Sequence, residues 1–214
     1  IDTRLNSSVP SEFKTLHNVG KYDLMGKRAL SYLKERKITK NDLLSYNIGY
    51  CEEGEYSGCI IIPSYDLNMN LNYFTARIFA RETYINYKNP KVDRDIIGFE
   101  SRVNFNLPII FCEGMFDAIA IKRNAIPLLG KTFSKKLKEK IAESAVNKIY
   151  IALDKDAMKQ SLEHARNLMD NGKEVYLVEL DDKDPSDMGF NNFNELIQKV
   201  KPMTLVSYMK YRLA

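Results

Sequence analysis

From residue 107 onward, short apolar runs alternate with helix-length amphipathic segments, and three of the four runs end in acids. That alternation constrains the fold more than any other feature of the chain. Ile109–Cys112 is wholly apolar, Ile126–Leu129 ends at Gly130, and Lys148–Leu153 and Glu174–Leu180 are rich in β-branched and aromatic residues. Between them, Phe116–Arg123, a lysine-rich segment from Ser134 to about Ser144, and Ala157–Asp170 carry helical spacing. Runs buried on both faces and joined by helices predict an α/β unit, with a mostly parallel sheet and flanking helices.

Upstream the character differs. Residues 1–22 read as loop, broken by Asn6, Ser7, Ser8 and Pro10. Lys27–Arg36 reads as an amphipathic helix, and Thr39 is placed to cap a second one through Tyr46. Cys59–Tyr65 and Leu71–Ala80, separated by the turn-like Asp66–Asn70, predict a hairpin. Residues 1–106 are therefore expected to form a smaller α+β subdomain and 107–190 the α/β domain. The remainder, 191–214, is expected to be a helical tail broken at Pro202. The chain begins at Ile1 rather than Met, which suggests a fragment.

The acids carry the chemistry. Glu113 follows the first apolar run in Glu113-Gly114-Met115-Phe116-Asp117, and Asp154 follows the third in Asp154-Lys155-Asp156. Asp181, Asp182, Asp184 and Asp187 follow the fourth. Open α/β sheets bind ligands beyond the carboxyl ends of their strands. Residues two apart in extended chain point the same way, so Asp154 and Asp156 can share a site. Gly114 permits a tight turn and close backbone approach. Each acid alone has an ordinary explanation: Asp117, for example, falls in a first helical turn, where the helix dipole favours any carboxylate. Three clusters at successive strand ends point instead to a hard cation. Oxygen ligands without His or Cys nearby favour magnesium over zinc.

Absences narrow the reaction. His17 and His164 are the only histidines; His17 lies in the loop-like start, and His164 is expected at a helix surface. No G-x-S-x-G elbow is present, and Gly130-Lys131-Thr132 lacks the upstream glycine of a phosphate-binding loop. Cys51, Cys59 and Cys112 have no C-x-x-C spacing, so no zinc ribbon is expected, and reduced thiols are the simplest reading. A net charge of +4 permits nucleic-acid binding without demanding it. No run is apolar enough to span a membrane and no signal peptide is evident. Metal-assisted phosphoryl chemistry is the economical expectation.

The strand plus Glu113-Gly114-x-x-Asp117, with Asp154-x-Asp156 ending a later strand, resembles the TOPRIM domain. DnaG-type primases, topoisomerases, and some nucleases and repair proteins share that domain. The residues before it choose among them. Tyr32-Leu33-Lys34-Glu35-Arg36-Lys37-Ile38 and Tyr46-Asn47-Ile48-Gly49-Tyr50 resemble the "Y-L-x-x-R-G-I … F-x-I-G-Y" run of DnaG-type primases. Cys59–Tyr65, Phe74-Thr75-Ala76-Arg77, Asn86-Tyr87-Lys88-Asn89-Pro90 and Ile97-Gly98-Phe99 resemble later primase elements in the same order. Lys183-Asp184-Pro185-Ser186-Asp187 resembles the last acidic motif in the form found in short bacteriophage primases. The usual lysine before the tyrosine is Asn86 here, with Lys88 two residues on, and the glycine usual after Asp156 is Ala157.

The resemblance implies a TOPRIM (Rossmann-like) fold and a primase core that makes RNA primers on single-stranded DNA during phage replication. Glu113, Asp154 and Asp156 would be catalytic and would bind Mg2+, which Mn2+ could replace, with Asp184 and Asp187 completing the metal site and Gly114 and Asp117 supporting it. Arg77, Arg81, Tyr87, Lys88 and Asn89 would contact template or ribonucleoside triphosphates. For each of these cations a solvated surface charge is the plainer alternative, as is a half-buried strand-edge position for Tyr87. Implied partners are a replicative helicase and a single-strand binding protein, with no membrane, in the cytoplasm of an infected bacterial host. The competing readings are a TOPRIM nuclease and a non-enzymatic nucleic-acid binding module.

Overall fold

The computed structural model describes residues 8–80, 84–180 and 183–213. The chain divides into two compact units, residues 1–94 and 95–214.

The first unit contains β1 (Phe13–Thr15), α1 (Leu24–Glu35), α2 (Lys40–Ser45), β2 (Gly49–Cys51), β3 (Cys59–Tyr65) and β4 (Leu71–Ile78). The four strands form an antiparallel sheet in the order β1-β2-β3-β4. The expected β3–β4 hairpin is present, and its turn is organised by Asp66, whose Oδ1 accepts the N–H groups of Asn68 and Asn70. Both helices start at side-chain caps. Asp23 accepts from the Gly26 N–H at 2.7 Å, and Thr39 and Asp42 form a reciprocal capping box. Cys51, Cys59, Ile61, Leu71, Phe74, Ala76 and Ile78 form an apolar cluster on the sheet.

Two strands depart from the expected reading. Phe13–Thr15, expected to be loop, is an edge strand, and Gly49–Cys51 is a strand beside it. Both are three residues long, too short to show alternation, and they exist by pairing rather than by propensity. Gly49 is required there, because a Cβ would stand 2.4 Å from the Lys14 carbonyl oxygen.

The second unit contains β5 (Ile109–Cys112), α3 (Met115–Ile121), β6 (Ala125–Pro127), α4 (Lys135–Glu143), β7 (Lys148–Ala152), α5 (Met158–Asp170), β8 (Glu174–Leu177), α6 (Pro185–Met188), α7 (Phe190–Lys199) and α8 (Leu205–Leu213). All four strands are parallel, in the order β6-β5-β7-β8. The expected fold class therefore holds: a parallel sheet flanked by helices, preceded by a smaller α+β unit and followed by C-terminal helices. Ile109 and Phe111 of β5 point with Ile149, Ile151, Val175 and Leu177 into a core shared with Leu137, Ile141, Leu162, Ala165 and Leu168. The alternate residues Ile110 and Cys112 are also buried, so the sheet is covered on both faces.

The unit begins before residue 107. Ile97 belongs to this core, Val103 and Phe105 pack on it, and the Ser134 hydroxyl donates to the Ile96 carbonyl at 2.8 Å. A boundary at 106/107 therefore falls inside the unit. Met203 and Tyr208 join the same core, so residues 191–214 belong to the second unit. A short helix, α6, was not anticipated within the last acidic stretch. β8 ends at Leu177 rather than Leu180, although Val178 and Leu180 remain buried.

Phe111 is fully buried, with its ring 4.5 Å from that of Phe133. Phe111→Ala should cost about 3–5 kcal/mol of unfolding free energy, through lost burial and the cavity left behind. Denaturant unfolding checks this; a loss below about 1 kcal/mol would mean that the sheet core is not packed as described.

Candidate metal centre

β5 and β7 are adjacent, with Cys112 paired to Ala152, and the chain leaves β5 toward β6 on one side before returning to β7 on the other. The carboxyl ends of these two strands therefore form the switch point of the sheet, where open α/β folds bind ligands. Glu113 is the first residue beyond β5, and Asp154 lies two residues beyond β7.

Glu113, Asp154 and Asp156 each bring a carboxylate oxygen within 4.8 Å of the others. Glu113 is held across the strand ends by accepting the Asp154 backbone N–H at 3.2 Å. Asp154 precedes a single 3-10 turn, Lys155–Ala157, but its side chain does not cap it and is left to face the cluster. Burial, and next the charge of Asp154, raise the Glu113 carboxyl above its ordinary range. Burial, followed by the charges of Asp184 and Asp156, raises Asp154. Carboxylates so placed oppose one another's ionisation, and a cation relieves this. The donor set is oxygen only, which fits a hard divalent cation.

An acidic pair, Asp117 and Asp184, adjoins this trio. Asp117, in the first turn of α3, accepts the Gly114 N–H at 3.0 Å and the Ser186 N–H at 3.2 Å. It thereby ties the β5–α3 loop to α6. Gly114 sits in extended backbone, and a Cβ there would come 3.3 Å from the Asp117 carboxylate. Asp184 caps α6, accepting the Asp187 N–H and the Ser186 hydroxyl, each at 2.8 Å. Asp184 and Asp187 stand outside the three-carboxylate group. Asp184 is still near enough to raise both Asp154 and Asp117.

Lys131, which no complete sequence motif marks, also reaches this site. Its Nζ lies 2.5 Å from Asp156 Oδ2. The only signal was the incomplete Gly130-Lys131-Thr132 motif. His164 was expected at the surface, but it is half-buried, stacked on Phe133 with ring centroids 4.0 Å apart. Its Nε2 is 2.9 Å from the Lys131 carbonyl.

The nucleotide candidates lie in the first unit. The Arg77 Nε donates to the Tyr32 hydroxyl at 2.8 Å, and its guanidinium lies 4.7 Å from the Tyr87 ring centroid. Arg36 donates to the same hydroxyl at 2.8 Å, so Tyr32 holds two arginines. The Lys88 Nζ donates to the Glu55 carbonyl and lies 5.7 Å from the centre of the Tyr56 ring. The Asn89 side chain accepts the Ala76 N–H at 3.0 Å, pinning the segment to β4. Arg81, Asp181 and Asp182 lie outside the described residues. No helix among the described residues is long and apolar enough to cross a membrane.

No known family profile matches the chain. Among curated proteins, it is 28% identical over 163 residues to the uncharacterized protein MG010 of Mycoplasma genitalium, covering 72% of each. It is 28% identical over 178 residues to the MG010 homolog of Mycoplasma pneumoniae, covering 78% of this chain and 81% of that one. Among solved structures, it is similar to a DnaG primase catalytic domain bound to single-stranded DNA, with a TM-score of 0.73 and 17% identity. That match covers 90% of this chain and 77% of the other. The Escherichia coli primase catalytic core matches with a TM-score of 0.72 and 15% identity over 93% of this chain and 79% of that one. A Pseudomonas aeruginosa primase domain matches with a TM-score of 0.72 and 19% identity over 90% and 77%. The chain has the fold of the DnaG primase catalytic core.

Two outcomes follow from the electrostatics. Burial, then the charge of Asp184, pushes the Asp117 carboxyl up to about 7, against 3.8 for the free side chain. Between those values the folded chain keeps a proton that the unfolded chain has released, so stability falls as pH rises from about 4 to about 7. Without divalent cation the melting temperature should decline over that range, and Asp117→Asn should flatten the decline; parallel curves for both proteins would contradict this. Asp154→Asn should stabilise the cation-free protein by about 0.5 kcal/mol, a modest gain because solvent screens the site. It should also abolish stabilisation by added Mn2+. Undiminished stabilisation by Mn2+ would remove Asp154 from the metal site.

Proposed function

We propose that this chain is the nucleotidyl-transferring core of a primase, building short RNA primers on a single-stranded DNA template. The observation that carries this reading is the convergence of Glu113, Asp154 and Asp156 at the switch point of a sheet whose fold is that of primase catalytic cores. One of the similar structures was solved bound to single-stranded DNA, which supports a template of that kind.

In this reading, Glu113, Asp154 and Asp156 hold Mg2+, or Mn2+ in its place, with Asp184 adding negative charge behind them. A bound cation would neutralise charge building on the reacting phosphate oxygens. The 3′-hydroxyl oxygen of one ribonucleotide attacks the α-phosphorus of the next; an oxygen–phosphorus bond forms, the α–β anhydride bond breaks, and pyrophosphate departs. Glu113, at the edge of the site, would take the hydroxyl proton directly or through water. Asp117 holds the Gly114 turn and so the direction of Glu113. Arg77, preset by Tyr32 and Tyr87, meets phosphate, and Tyr87 extends that surface; Lys88, whose ammonium lies beside Tyr56 and the Glu55 carbonyl, would make a separate contact. Asn89 supports that segment through its bond to Ala76, and Arg81 belongs to the same assignment. We also assign the chain a replicative helicase and a single-strand binding protein as partners. The setting is phage replication in a bacterial host, or cellular DNA as the Mycoplasma relatives suggest.

A nuclease would use the same acids to cleave DNA without nucleotides, and a binding module would need none of them. Incubation with single-stranded DNA, Mg2+ and labelled ribonucleotides separates the three. Short labelled products are expected, falling at least 100-fold in Glu113→Gln, since a general base contributes about 10²–10⁴-fold. Shortened DNA without labelled product would establish the nuclease, and near-parent synthesis by Glu113→Gln would overturn the assignment. Arg77→Ala should weaken template or nucleotide binding and lessen its salt dependence. Coincident binding curves across a salt series would remove Arg77 from the surface.

A further inference from the structure

Lys131 seats a positive charge against the acid cluster, 2.5 Å from Asp156, with its side chain 33% exposed. The placement is built rather than incidental. The loop that carries Lys131 is bonded at both flanks. On one side the Leu128 and Leu129 N–H groups each donate at 2.9 Å to the carbonyls of Cys112 and Glu113, the segment that bears the first ligand candidate. On the other, the Lys131 carbonyl meets His164 Nε2 at 2.9 Å, and that ring lies flat on the buried Phe133. Just before Lys131, Leu129 and Gly130 adopt positive φ of 58° and 154°. A leucine in the left-handed region carries a backbone cost that the surrounding bonds must offset.

The consequence is one of charge and coordination. Three carboxylates bear three negative charges, and one ammonium reduces the set to a net −2. Lys131 also occupies an oxygen of Asp156 that a metal would otherwise use. We propose that Lys131 is a tethered cation that competes with divalent ions for Asp156, setting the cluster's divalent affinity and limiting it to one tightly held ion. The inference rests on the metal-site reading given above and deepens it. Glu113 and Asp154 remain open to the ion, whereas Asp156 is shared between ion and lysine. In the free cluster the ammonium partly balances the crowded carboxylates.

Removing the tethered charge should therefore tighten divalent binding, not loosen it. Titration of the whole chain with Mn2+, followed by electron paramagnetic resonance of the free ion and by calorimetry, reads this directly for the parent, Lys131→Met and Lys131→Arg. The expected result is one tight Mn2+ per parent chain. In Lys131→Met, binding should be about tenfold tighter or a second ion should appear, since a nearby positive charge repels a divalent ion through a partly solvated site. Lys131→Arg, which keeps the charge, should stay near the parent. Circular dichroism and melting confirm that each variant is folded. If Lys131→Met is folded and binds Mn2+ with the parent's affinity and stoichiometry, the competition is overturned while the metal site stands. If it binds more weakly, Lys131 supports rather than competes, which also overturns the inference. If neither the parent nor Lys131→Met binds Mn2+, the metal-site reading itself fails.

Discussion

Mutual repulsion among carboxylates governs this molecule. Glu113, Asp154 and Asp156 are brought within 4.8 Å of one another by the parallel register of β5 and β7, and that register is set by burial of both faces of the sheet. A chain that spends packing energy to crowd like charges gains nothing in stability from doing so. Crowding of this kind is enriched at functional sites, and it is what motivates the metal-site reading proposed above. Burial first, and then the neighbouring charges, raise the Glu113, Asp154 and Asp117 carboxyls above their ordinary range.

The surrounding bonds are arranged to bear that load. Asp117 anchors the Gly114 turn and reaches Ser186, while Asp184 is tied down as the cap of α6. Backbone donors thus hold the outer acids in place, and the inner ones keep oxygens open. Lys131 offsets part of the negative charge through its ion pair with Asp156. In the first unit a cation is held in a similar way: Tyr32 accepts from both Arg36 and Arg77, which fixes the direction of the Arg77 guanidinium.

The parallel sheet was legible because its strands are apolar on both faces and its connections have helical length, a pattern few other folds share. The convergence of Glu113 with Asp154 was legible because both directly follow such strands. Other features were not. β1 and β2 are three residues each and owe their existence to partners distant in sequence, so no local pattern marks them. The start of the second unit at residue 95 was hidden because Ile97, Val103 and Phe105 are scattered through irregular backbone. Lys131 was dismissed with a failed phosphate-loop motif. Its place beside Asp156 depends on a loop bonded to Glu113 and His164, a three-dimensional arrangement with no sequence period. His164 reads as a surface residue because it sits between Glu163 and Ala165 on a helix, yet its ring stacks on Phe133.

Anomalous diffraction from a crystal of the chain soaked in Mn2+ tests the central claim most directly. The account requires a peak within coordination distance of oxygens from both Glu113 and Asp154, about 2.0–2.3 Å away. A well-ordered map with those two carboxylates turned to separate regions, and manganese absent or bound elsewhere, would contradict it.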